Sequence, residues 1–194
     1  MSRYFLALAL LVVLGSCGGG NFSAPRNLDN ACKLAEERPA YFRAMKATER
    51  KWGVPVSVQM AVIHQESKFI GDAKTPFRYT LGVIPMGRQS SAFGYSQALD
   101  DTWVEYQREE GGRGAKRDRI RDATDFMGWY FHKSQEGLGI SKHDAKAQYL
   151  AYHEGRSGYA RGSYNAKPWL LAVSDRVAAR ADRYRGQLIA CRKG

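Results

Sequence analysis

Glu66 is the residue of this 194-residue chain best placed to do chemistry. It stands in His64-Gln65-Glu66-Ser67-Lys68-Phe69, at the end of a run in which Val58, Met60, Ala61, Val62 and Ile63 are apolar nearly all round. Val62 and Ile63 precede it by four and three residues, so on a helix they share its face. Apolar surroundings disfavour a carboxylate and favour the neutral acid. The C-terminal end of a helix acts in the same direction, because its dipole repels negative charge. A carboxyl that stays protonated near neutral pH is what a general acid has to be. The segment alone fits a solvated glutamate at a helix end beside Lys68 better than a catalytic acid.

The other reactive side chains offer less. His64, His132, His143 and His153 are scattered, and His153-Glu154 has no second histidine four residues after the first, which excludes a zincin. No metal or cofactor is expected. Arg108, Arg113, Lys116, Arg117, Arg119 and Arg121 cluster with Glu109, Glu110 and Asp118 among them. That run fits a solvated loop and helix start, or attraction to an anionic wall or lipid.

Eight Phe, eleven Tyr and four Trp supply too many buriable rings for a disordered chain, and the length suits one domain. A net charge of +11 favours a polyanionic partner without choosing among nucleic acid, anionic lipid and cell wall. The N-terminus narrows that choice. Arg3 precedes an uncharged apolar run over residues 4–14, too short to span a bilayer and suited to the core of a secretory signal. Leu14-Gly15-Ser16-Cys17 then resembles a bacterial lipobox. The resemblance implies cleavage before Cys17, acylation of that cysteine and, with Gly18 following, anchorage at the outer membrane facing the periplasm. An ordinary signal peptide with an incidental cysteine is the alternative. Export disfavours nucleic acid as a partner. In an oxidising compartment the two remaining cysteines, Cys32 and Cys191, are a candidate disulfide, or else two buried thiols.

The elements that must position Glu66 read as helices. Residues 17–30 look like a tether. Pro39 opens a helix that Gly53 closes, and Pro55 opens the apolar one, over 56 to about 69. Residues 71–93 carry Gly71, Pro76, Gly82, Pro85 and Gly87 and form a long loop, with room for a short hairpin around 78–84. Asp100 or Asp101 caps a helix ended by Gly111-Gly112. Asp118 or Asp122 caps the next, stopped at Gly137. Ser141-Lys142-His143-Asp144 fits a loose capping box before a helix stopped by Gly155. A Gly/Tyr-rich loop over 155–164 leads to a last helix opened by Pro168. The result is an all-α domain of six or seven helices over residues 31–194.

Three short motifs follow one another along these elements: Glu66-Ser67, then Phe93-Gly94-Tyr95-Ser96-Gln97, then Leu150-Ala151-Tyr152-His153-Glu154-Gly155. In this order they resemble the signatures of the soluble lytic transglycosylase catalytic domain, which shares the goose-type lysozyme fold. Those are a Glu-Ser pair closing a core helix, a Gly-Leu-Met-Gln turn and an Ala-Tyr-Asn-x-Gly helix end. Phe126-Met127-Gly128-Trp129-Tyr130 also resembles the family helix between the second and third. The likeness covers roughly residues 40–190.

The resemblance implies that Glu66 is the catalytic acid and base. It implies that Ser67 orients the substrate, that Gln97 lines the sugar cleft, and that the hydroxyl of Tyr152 faces Glu66. Tyr95, with Ser96, stands where the family has Leu-Met, which makes the cleft wall more polar and larger by a ring; His153 replaces the family asparagine. Tyr159 and Tyr164 fit cleft lining or plain packing. The loop after Glu66 is longer than usual for the family. The implied reaction cuts peptidoglycan between N-acetylmuramic acid and N-acetylglucosamine and closes a 1,6-anhydromuramyl end with one carboxyl and no water. Two other functions fit the residues: a lysozyme-like hydrolase with a second carboxylate at Asp72, Asp100 or Asp101, and a non-catalytic wall-binding lipoprotein.

Overall fold

A computed structural model describes residues 22–80 and 83–193. Seven α-helices and one hairpin stand among them: α1 Ala31–Glu37, α2 Pro39–Trp52, α3 Val56–Ser67, β1 Phe77–Thr80, β2 Ile84–Arg88, α4 Asp100–Tyr106, α5 Ile120–Leu138, α6 Ala145–Ala160 and α7 Pro168–Ala190. The domain is all-α, as its sequence pattern predicts, and lysozyme-like, as the family resemblance implies.

The apolar run becomes the central helix. Ten of the twelve residues of α3 are buried, and α2, α5, α6 and α7 all pack against it. Each fully buried Val, Ile or Met contributes roughly 1.5–3 kcal/mol. The buried amide of α3 is stitched to its neighbours: Gln59 donates to the carbonyls of Met45 (3.0 Å) and Val54 (2.8 Å). Glu49 of α2 accepts the Val56 N–H at 3.0 Å. The preceding helix therefore satisfies one of the donors that open α3.

α2 and α5 cross closely at Gly128, where a Cβ atom would fall 2.4 Å from the Trp52 ring. The close approach lets Trp52 donate to Asp125 at 2.9 Å. Tyr106 and Lys51 reach the same carboxylate at 2.8 and 3.0 Å, so one acid ties α2, α4 and α5 together.

Element boundaries depart from the sequence reading in instructive places. α1 was not expected; Asn30 caps it by accepting the Lys33 N–H at 3.0 Å. The segment before it, read as tether, lies on the domain from residue 22 onward. Phe22 accepts the Gly71 N–H, Leu28 accepts the Tyr184 hydroxyl, and Asp29 pairs with Arg180 at 2.6 Å. A disulfide joins Cys32 of α1, which follows this strap, to Cys191 after α7. Cys17 and the signal segment lie outside the described residues.

Asp100 and Asp101 sit in the first turn of α4 with Leu99 at its cap, and Asp122 sits in the first turn of α5 with Arg119 at its cap. Acids in a first turn meet the helix dipole without capping. α4 runs on through one π-helical turn, Gln107–Gly111. α5 passes Gly137 and ends at Gly139, which takes the left-handed conformation (φ 70°). Asp144 itself caps α6, accepting the Ala147 N–H at 2.9 Å. Gly155 (φ 72°, ψ 154°) kinks α6 rather than ending it. The expected 155–164 loop is therefore mostly helix, and Tyr159 and Tyr164 stack on one another with ring centroids 5.1 Å apart.

The hairpin is antiparallel, pairing Phe77 with Arg88, Tyr79 with Pro85 and Thr80 with Ile84. It projects from the domain: all four residues of β1 are exposed.

Candidate active site

The site is built where α3 ends. Lys68 (φ 53°) and Phe69 (φ 62°) both take the left-handed conformation, which is costly for side chains with a Cβ and persists only where packing enforces it. Here the enforcing contact is Phe69, fully buried and stacked on Tyr41 at 6.3 Å. The expected continuation of α3 to residue 69 therefore stops at Ser67, one residue after Glu66.

Ser67 is 5% exposed and donates to the carbonyl of Tyr95 at 2.8 Å. Its hydroxyl is committed to holding the helix end against the 93–97 turn, not to the surface. Tyr95 is likewise 3% exposed, with its hydroxyl 2.7 Å from that of Tyr41. The ring expected on the cleft wall is core instead, because the turn points it inward. Gly94 makes that turn possible: its φ is 78°, and a Cβ there would lie 2.2 Å from the carbonyl oxygen of Arg117. Gln97 (φ 50°) donates to the carbonyls of Ala73 and Gly94 at 3.0 and 2.8 Å.

α6 supplies the opposite wall. Tyr152 packs edge-on against Tyr130 and Phe131, and its hydroxyl donates to the carbonyl of Ser96 at 2.5 Å. A cavity of about 200 Å³ brings together Gln97, Leu99, Thr102, Tyr130, Tyr152, His153 and Glu154. Three of the five residues expected to bind substrate, Gln97, Tyr152 and His153, thus share one cavity. Ser67 and Tyr95 stand behind it as support. His153 is exposed, edge-on to Trp169 at 5.2 Å and 3.1 Å from Glu154.

Glu66 is half-buried, and no group among the described residues hydrogen-bonds its carboxyl. Burial pushes its pKa up from 4.5 to about 8; the nearby Lys68 ammonium opposes the rise without overcoming it. The effect of burial expected from Val62 and Ile63 is therefore present. The Glu66 charge also reaches Tyr149 and Tyr152, raising both phenols after burial has already done so. Tyr149 was missed by the sequence reading. It stands three residues before Tyr152 and so on the same helical face, and its hydroxyl has no hydrogen-bond partner among the described residues, unlike that of Tyr152.

Glu154 is the carboxylate that lines this cavity, and it is already engaged. Its side chain is 4% exposed and accepts from Lys167 (2.8 and 3.0 Å) and Ser163 (2.5 Å). The Lys167 hydrogen bond is the main cause that holds its pKa down near 2. The acids expected for a hydrolytic partner fall elsewhere. None of Asp72, Asp100 and Asp101 lines the cavity, and Asp100 pairs with Arg117 at 2.7 Å. Among the described residues no group of three or more His, Cys, Asp or Glu is arranged to hold a metal ion.

Replacing Tyr152 with Phe strands the buried carbonyl of Ser96. It is expected to cost about 1–2 kcal/mol in stability and to loosen the turn that carries Gln97. Urea unfolding with glycan digestion of the folded variant checks both.

A model of the protein family described as "Transglycosylase SLT domain" matches residues 5–191 of the chain. No curated protein sequence matches it.

Proposed function

From the membership of this chain in the transglycosylase SLT domain family, whose activity is lytic cleavage of peptidoglycan in the cell envelope, we propose a mechanism that rests on Glu66 alone. Glu66, protonated, gives its proton to the oxygen linking N-acetylmuramic acid to N-acetylglucosamine. The bond between that oxygen and the muramyl anomeric carbon breaks, and the muramyl N-acetyl group supports the cation. The Glu66 carboxylate then takes the proton of the muramyl C6 hydroxyl as its oxygen bonds to the same carbon. A 1,6-anhydromuramyl end forms, Glu66 is protonated again and no water is consumed.

The observation that supports this reading is a carboxyl at the closing turn of the most buried helix, acidic form favoured to about pH 8, near enough to Tyr152 of the Gln97–Tyr152–His153 cavity to raise its phenol. Glycosidases of the two-carboxylate kind need a second free acid, and Glu154 is bound to Lys167 and Ser163. Gln97 and His153 bind the sugars from opposite walls. Tyr152 fixes the turn, and Tyr149, whose hydroxyl has no hydrogen-bond partner among the described residues, lies within reach of the Glu66 charge.

Two measurements test the proposal. Mass spectrometry of digested peptidoglycan is expected to find muramyl ends lighter by one water than reducing ends; reducing ends alone would mean hydrolysis. kcat/KM is expected to fall as pH rises through about 8, where the free enzyme loses its acid.

We also propose that Cys17 is acylated and holds the protein at the outer membrane. Among the described residues no helix is long and apolar enough to cross a membrane. Cys17→Ser is expected to move the protein from the detergent phase to the soluble periplasm; unchanged partitioning would refute the anchor.

A further inference from the structure

A second cavity, of about 360 Å³, opens between α3 and α7. It lies on a face of α3 turned away from Glu66, since its wall takes residues 61, 64, 65 and 68 while each residue advances about 100°. Lys68 reaches it from α3, and Arg176, Arg180 and Arg183 reach it from α7 at four- and three-residue spacing. Ala61 and Ala179 keep the space between them open.

The charges at this cavity do not balance. Asp29 of the strap pairs with Arg180 at 2.6 Å and more loosely with Arg183 at 3.9 Å, from an exposed position at the rim. His64 adds no charge: burial and Lys68 hold its pKa down near 4, and its Nδ1 lies 3.3 Å from the Lys68 ammonium. The acids of α7 are used elsewhere, Asp175 with Lys146 and Asp182 with Arg185. Among the described residues four cations thus face one aspartate across a concave space, and concave, like-charged walls focus their field on an ion of opposite sign.

We propose that this cavity binds a phosphate group, gripped by Arg176, Arg180 and Arg183 with Lys68 as a point charge. Guanidinium forks match the paired oxygens of phosphate, and an ammonium adds charge without directional demand. A carboxylate offers two oxygens and one charge, which leaves most of the surplus unanswered. The phosphate belongs either to a soluble ester or to an anionic lipid headgroup. The site does not depend on the transglycosylase reading.

Calorimetric titration of inorganic phosphate into the full chain at constant ionic strength is the test. One saturable site per chain is expected, weakened at least tenfold in the Arg176→Gln/Arg183→Gln double variant, whose two side chains are exposed. Phosphate is also expected to raise the Tm of the unaltered chain, which keeps the test open if the variant misfolds. Phosphatidylglycerol vesicles, offered to the unacylated Cys17→Ser chain, separate the sources. Phosphate-competed binding absent from phosphatidylcholine vesicles assigns the lipid, and phosphate binding without vesicle binding assigns a soluble ester; both support the site. Absence of saturable binding, equal binding by the double variant, or equal displacement by chloride would overturn it.

Discussion

Glu66→Gln is expected to abolish glycan cleavage and, in alkaline buffer, to make the protein more stable. The amide is nearly isosteric but can neither give nor recover a proton, and losing a general acid/base typically costs about 10²–10⁴-fold in rate. The stability effect follows from linkage. The Glu66 pKa is about 8 in the folded chain against 4.5 for the free group. Between those values the unfolded chain has released the proton and the folded chain still holds it, so stability from this group is full below about 4.5 and declines until about 8. A shift of this size corresponds to at most about 5 kcal/mol, and to less where solvent screens the half-buried carboxyl. The variant is expected to match the unaltered protein at pH 4.5 and to exceed it at pH 8.5, by less than that figure because Gln is also polar. Denaturant unfolding at the two pH values, beside a digest of purified peptidoglycan, reads both effects. Full cleavage by the folded variant would remove Glu66 from the mechanism.

Loss of the Cys32–Cys191 bond is expected to lower stability by about 2–5 kcal/mol, since it closes a loop with a separation of 159 residues and long loops restrict the unfolded chain most. The strap and α1 keep other attachments after reduction. The Ala31 N–H donates to Gln187 at 2.8 Å, and Gln187 donates to the carbonyl of Asp29 at 3.0 Å. Loss is therefore expected to begin as fraying of α1 from α7. The bond that is cut in the glycan should not change, because neither cysteine belongs to the cleft. Unfolding with and without reductant, with free-thiol titration of the denatured chain, checks the expectation; two reactive thiols besides Cys17 would refute the bond in the exported protein.

The central helix and the position of Glu66 were legible because they rest on local signals: Pro55 before the helix, an apolar run within it, and a carboxyl three and four residues beyond Ile63 and Val62. The support of the site was less legible because it is made by tertiary contacts. Nothing in the string Tyr95-Ser96-Gln97 announces that the Tyr95 ring turns inward to Tyr41, or that the Ser96 carbonyl receives Tyr152. Tyr149 could have been found from its spacing to Tyr152, but its free hydroxyl could not. Gly155 misled because a glycine that ends a helix and one that kinks it look alike in sequence; the residues after it continue the helix only because Glu154, Ser163 and Lys167 clamp that end. α1 escaped notice because a helix of seven residues held by a disulfide and a polar cap carries little periodicity.

The hairpin has a consequence for the connectivity of the molecule. Phe77, Tyr79, Val83, Ile84 and Met86 all stand open to solvent, and the exposed tip of such a projecting hairpin is where proteolytic nicking concentrates. A nick there divides the cleft between two polypeptides. The first carries Glu66, and the second carries Gln97, Tyr152 and His153. Cys32 lies in the first and Cys191 in the second, so their bond bridges the cut. The nicked protein remains one covalent particle with both cleft walls attached, and the fragments part only when a reductant reaches that sulfur pair.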